Sequence, residues 1–185
     1  MFVKLDGRRC LVVGAGTVAE AKIESLLATA ASVRVVAPVA TPKVREWARQ
    51  GLIEWDAREY ISGDLSGMFF VIAATGSPAL HDEIYAEAQS REILCNAVDE
   101  PERCDFYFPA VVRRGELQIA ISTGGLSPAL AQRLRKELEQ QFGPEWEKWV
   151  EQLGRTRDEL KSIPMPPEQR KRLLHQYASL DPEPR

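Results

Sequence analysis

Asp99 stands directly after the apolar run 93–98 and just before Glu100-Pro101. A carboxylate at the end of a strand can take a proton from a bound substrate, and partial screening from water makes it a better base. An Asp ahead of a proline is equally a turn residue, and Asp105 is a rival acid a few positions on. A second pattern is Gly14-Ala15-Gly16-Thr17-Val18-Ala19, between the apolar run RRCLVVG and a segment of helical periodicity. This G-x-G-x-x-A spacing suits a pyrophosphate. Gly14 makes the tight turn, Gly16 lets the backbone come close, Ala19 keeps the helix near its strand, and the helix N-terminus offers free N–H groups. A turn that holds nothing is the alternative.

The usual companion of such a turn, an acid at the end of the second strand that binds a ribose hydroxyl, is missing. The run 33–37 is followed by Pro38 and Val39, so ribose contacts fall to backbone groups there. The run 68–74 ends in Ala74-Thr75-Gly76, where a strand would line the cofactor crevice. Ser122-Thr123-Gly124-Gly125 precede Ser127-Pro128, a capping serine and a proline at the first helical position. Flexible backbone before a helix N-terminus suits carboxylates. Arg113, Arg114 and Arg133 would add charge-assisted bonds, although each read singly is a solvated charge. His81 and His175 are far apart in sequence, and Cys10, Cys95 and Cys104 lack metal-ligand spacing, so no metal site is expected. Cys10 and Cys95 read as small buried hydrophobes.

These residues need a scaffold, and the chain alternates strand and helix to supply one. Strands are expected at 33–37, 52–55, 68–74 and 93–98 besides the opening run, with helices at 18–29, 42–50 and 79–91. That order implies a Rossmann-type doubly wound parallel sheet, class α/β. After Asp99 the pattern changes to a β-hairpin, 108–112 with 117–122, and a helix striped by Leu130, Leu134 and Leu138. Helices at about 145–163 and 167–177 follow, the first with an apolar face of Trp146, Trp149, Val150 and Leu153, and the tail DPEPR is expected to fray. The 185 residues are 44% hydrophobic, enough for a sizeable core, and the net charge of -3 argues against nucleic acid as a partner. No apolar run is long enough to span a membrane, and the N-terminus lacks a signal-peptide core, so a cytoplasmic location is expected.

The stretches LVVGAGTVAEAK, FFVIAATGSPALH, CNAVDEPERCDFYFPA and ISTGGLSPALAQRLR together resemble the precorrin-2 dehydrogenase family, the N-terminal module of siroheme synthase. The likeness covers most of residues 1–140, and the missing acid after the second strand is typical of it. The resemblance implies NAD-dependent oxidation of precorrin-2 to sirohydrochlorin; some members also insert Fe²⁺. It implies Asp99 as the key acid and Thr17, Val18, Pro38 and Val39 as NAD contacts, beside Gly14, Gly16, Ala74 and Thr75. A tetrapyrrole rich in carboxylates would meet Ser122, Thr123, Gly124, Gly125, Arg113 and Arg133. The implied layout is an NAD-binding Rossmann domain at 1–107, a homodimerisation region at 108–140 and a helical domain at 141–185. The competing reading is a non-catalytic Rossmann dimer that senses NAD(H), which needs neither Asp99 nor STGGLSP.

Overall fold

A computed structural model describes residues 2–182. The chain divides into two compact units, one through Tyr107 and one from Phe108 onward. The last three residues of the tail expected to fray lie outside the described residues.

The first unit is a five-stranded parallel sheet in the order β3-β2-β1-β4-β5. Its strands are β1 (Arg9–Val13), β2 (Ser32–Val36), β3 (Glu54–Asp56), β4 (Phe70–Ala73) and β5 (Leu94–Ala97). Cys10, Leu11 and Val12 are fully buried and Val13 nearly so, as expected of a central strand covered on both faces. Burying a side chain such as Leu11 or Ile72 stabilises the fold by about 2 kcal/mol. Helix α1 (Thr17–Leu27) puts Ala19, Ile23 and Leu26 into this core. Helices α2 (Pro42–Arg49) and α3 (Pro78–Ser90) start as the sequence foretells. Thr41 and Ser77 cap them by accepting from the N–H groups of Val44 and Leu80, with proline in the first turn. The chain leaves β1 toward β2 and β3, then returns to its other side for β4 and β5. The strand order therefore reverses between β1 and β4, whose carboxyl ends border the crevice where such sheets bind ligands.

One strand differs from expectation. β3 starts at Glu54, two residues late, because the Leu52 N–H bonds the Trp47 carbonyl at 3.0 Å and finishes α2. This edge is held by charges. Arg34 reaches Asp56 at 2.5 Å and Asp64 at 3.2 Å, and Arg58 reaches Asp64 at 2.6 Å.

The second unit pairs β6 (Ala110–Arg114) with β7 (Leu117–Ile121) around Gly115-Glu116. Gly115 has φ +57°, the positive value a two-residue hairpin turn requires at its first position. Helix α4 (Pro128–Gln141) packs on this hairpin, followed by α5 (Glu145–Ser162) and α6 (Pro167–Ala178). The leucine stripe of α4 is only partly covered within the chain, with Leu134 and Leu138 half-buried. Ala131 is the buried residue of α4, and Leu130 stays 39% exposed. Arg114, expected as a solvated charge or a substrate contact, instead binds the carbonyls of Phe142 at 2.8 Å and Glu139 at 3.1 Å.

Candidate dinucleotide site and neighbouring acid

The glycine turn does two separate jobs. Gly14 has φ +108°, and a Cβ there would lie 2.2 Å from the Ala74 carbonyl oxygen, so only glycine fits between β1 and the end of β4. Its own N–H donates to the Val36 carbonyl at 2.9 Å. Gly16 is the N-cap of α1, in extended conformation, with open space where a Cβ would stand and no side-chain oxygen to cap the helix. The first-turn N–H groups of Thr17, Val18 and Ala19 have no acceptor within the helix. This arrangement fits a pyrophosphate. The Thr41 N–H donates to the Ala15 carbonyl at 3.0 Å, which anchors the Pro38–Val39 loop to the turn. Val18 and Val39 are 49% and 70% exposed. The structure thus brings together Gly14, Gly16, Thr17, Val18, Pro38, Val39, Ala74 and Thr75 around the carboxyl ends of β1, β2 and β4.

Asp99 occupies the third position of a turn closed by the Glu100 N–H on the Ala97 carbonyl at 3.2 Å. Its φ is +62°, a left-handed value usually left to glycine and tolerated best by Asn and Asp. The expected screening from water is not met within this chain, where Asp99 is exposed. Asp105, the rival acid, is committed elsewhere. Its carboxylate accepts from the Cys95 N–H at 2.8 Å and from Gln89 at 2.9 Å. Asn96 binds the Phe106 carbonyl at 2.7 Å, so the stretch after Asp99 is strapped back along β5. Cys10 and Cys95 are buried, and burial pushes both thiols up to about 12.

Two residues near this site escaped the sequence reading. Lys22 of α1 is half-buried, and burial lowers its ammonium below the ordinary lysine range while the negative charge of Asp99 opposes that shift. Its position one turn beyond Val18 and Ala19, at the margin of the buried face, was the available signal. His81 was weighed only as a metal ligand. It is 3% exposed, accepts from the Thr75 N–H at 3.3 Å and faces Glu100 at 3.0 Å. Among the described residues, no group of three or more His, Cys, Asp and Glu side chains could hold a metal ion. No helix among them is long and apolar enough to cross a membrane.

The remaining sequence-predicted residues lie in the second unit. Ser122 Oγ accepts from the Gly124 N–H at 3.1 Å and Thr123 Oγ1 from the Ser127 N–H at 3.0 Å, so both hydroxyls shape the turn before α4. Gly124 and Gly125 have φ of +61° and +83°. Arg113 is exposed on β6, and Arg133 pairs loosely with Glu137 at 3.4 Å.

Two family models match the chain. The family described as putative NAD(P)-binding matches residues 1–110, and that described as sirohaem biosynthesis protein central matches residues 114–141. Siroheme synthase 1 of Serratia proteamaculans is 38% identical over 161 residues, 87% of this chain and 34% of the relative. Siroheme synthase 1 of Yersinia enterocolitica is 42% identical over 139 residues, 75% of this chain and 29% of the relative. The chain spans about a third of the length of these curated relatives. A solved structure described as SirC, precorrin-2 dehydrogenase, superposes with a TM-score of 0.81 at 27% identity, over 95% of this chain and 87% of that one. With the putative NAD(P)-binding family matched over residues 1–110 and the sirohaem biosynthesis central family over residues 114–141, the chain belongs to the NAD(P)-binding family of sirohaem-biosynthesis proteins.

Proposed function

We propose that this chain oxidises precorrin-2 to sirohydrochlorin with NAD as hydride acceptor, and that it does so as a homodimer. The observation that carries the reading is the uncapped N-terminus of α1 at the β1/β4 switch point, in a chain that matches a precorrin-2 dehydrogenase over nearly its full length. The first-turn N–H groups beyond Gly16 would hold the pyrophosphate. Exposed Val18 and Val39 would flank the adenosine. NAD rather than NADP is supported by the end of β2, where Pro38 and Val39 carry no charge for a 2′-phosphate. Of the nearby cations, Arg34 is paired with Asp56 and Lys43 with Glu24 at 3.0 Å, while Arg45 Nε donates to the Ala40 carbonyl at 2.9 Å. Bound NAD supplies a hydride acceptor. The proton lost with the hydride would go to Asp99 or to water beside it. Ser122, Thr123, Gly124, Gly125, Arg113 and Arg133 would meet the carboxylates of the tetrapyrrole.

The test is anaerobic incubation with enzymatically generated precorrin-2 and either NAD or NADP. NADH and the sirohydrochlorin spectrum are expected together, with a slower reaction on NADP. NAD binding without turnover would leave the non-catalytic sensor as the correct reading. Addition of Fe²⁺ afterwards reports whether this chain also inserts metal.

A further inference from the structure

We propose that His81 positions the Ala74–Thr75 peptide for cofactor binding, and that protonation of its imidazole releases that peptide. The proposal rests on reading the Gly14–Ala19 turn as the NAD site. The Ala74–Thr75 peptide is held on both edges. Its carbonyl oxygen presses on Gly14, where a Cβ would come within 2.2 Å, and its N–H donates to His81 Nε2 at 3.3 Å. The C=O and N–H of a trans peptide point in opposite directions, so a grip on the N–H sets where the oxygen lies against the glycine turn. A peptide N–H can only donate, so Nε2 must be the unprotonated nitrogen and Nδ1 carries the proton. That proton is directed at Glu100 Oε1, 3.0 Å away. Glu100 is the neighbour of Asp99, and its other oxygen accepts from Arg103 at 2.7 Å. Arg103 is in turn fixed on α3 by Asp82 at 2.8 Å.

His81 therefore ties the end of β4 to the turn that carries Asp99. The charged groups around it are Glu100 beyond β5, Arg103 in the turn that follows, and Asp82 on its own helix. A second proton would sit on Nε2 and face the Thr75 N–H, donor against donor. Glu100 would attract the imidazolium, but Arg103 already shares that carboxylate, and no attraction at Nδ1 restores the acceptor at Nε2. Acid thus turns the peptide loose at the edge of the cofactor crevice.

The experiment measures NAD affinity by calorimetry from about pH 8 to about pH 5 while the protonation of the His81 ring is read directly. A His175→Gln background removes the other histidine. The Thr75 amide and the His81 ring are followed by NMR in the same samples. Affinity is expected to fall roughly three- to tenfold on acidification, the effect of losing one hydrogen bond, with the Thr75 amide tracking the ring. His81→Gln offers an acceptor that does not titrate, so it should keep neutral-pH affinity within about threefold and lose the acid-side fall. An equal fall in His81→Gln overturns the proposal. So does a Thr75 amide that ignores the His81 titration, an observation that needs only the parent ring. A protein that binds no NAD at any pH, while Thr75 still tracks the ring, overturns the dinucleotide reading instead and removes the role in cofactor binding with it.

Discussion

At the scale of single residues, Gly14 and Gly16 should separate folding from binding. Gly14→Ala would drive a Cβ into the Ala74 carbonyl at a positive φ, and a loss of about 3 kcal/mol or more is expected in urea melts. Gly16→Val meets open space at an ordinary φ, so it should fold like the parent while calorimetry shows NAD affinity reduced at least about tenfold. Equal NAD binding by Gly16→Val would show that the pyrophosphate does not lie there. Asp99 follows the same logic. Asn tolerates the left-handed backbone that Asp99 adopts, so Asp99→Asn should keep the fold and NAD binding. A general base contributes roughly 10²–10⁴-fold; because Asp99 is exposed and water can also take the proton, the loss in precorrin-2 oxidation is expected near the lower end. A variant that oxidises precorrin-2 as fast as the parent would leave Asp99 a turn residue. Glycine spacing made the turn legible in the sequence. His81 and Lys22 were far less so, since what each meets depends on which backbone or carboxylate the fold brings beside it, and Lys22 left only its place at the margin of the buried helix face as a signal.

Secondary elements were more legible, because their signals are local. Thr41-Pro42, Ser77-Pro78 and Ser127-Pro128 each mark a helix start, and each serine or threonine accepts a first-turn N–H in the structure. The misses came where tertiary contacts outweighed pattern, as when Leu52 finished α2 instead of opening β3. The ion cluster at that edge had no periodic signature at all, since Arg34, Asp56, Arg58 and Asp64 meet only when β2 and β3 pair. The hydrogen bond from Arg58 holds the buried Asp64 carboxyl below the ordinary carboxylate range; burial works against it, and the Ile61 N–H and Arg34 add to it. A carboxylate so depressed contributes stability above its unfolded value of about 3.9, and that contribution disappears as pH falls through the lower folded value. Asp64→Asn should therefore cost about 2–3 kcal/mol at pH 7, and the gap from the parent should close below about pH 4. Denaturant melts at both pH values check this, and a gap independent of pH would mean that packing, not charge, holds the edge.

At the scale of the whole molecule, the two units differ in how well each can stand alone. The first buries a continuous set of side chains from Leu11 to Ala97. In the second, Ala110, Val112 and Ala131 are the buried hydrophobics among the described residues, while Leu126 and Leu130 of the α4 region are 92% and 39% exposed. A lone two-stranded ribbon is marginal in water, and α4 and α5, which pack on it, add little with so small a fully buried core. Exposed apolar surface of this kind calls for a covering partner, and a second copy of the chain is the economical one, since a twofold axis covers both copies with the same surface. The chain is therefore expected to have twice its monomer mass by light scattering at micromolar concentration. Leu130→Asp, at a site where an exposed charge would cost little in a monomer, should shift the mass toward monomer and lower the thermal midpoint of the parent dimer. It should leave the glycine turn able to bind NAD, because that turn is built wholly within the first unit. A parent that is monomeric at that concentration would remove the argument, for the exposed leucines would then be stable in water without a partner.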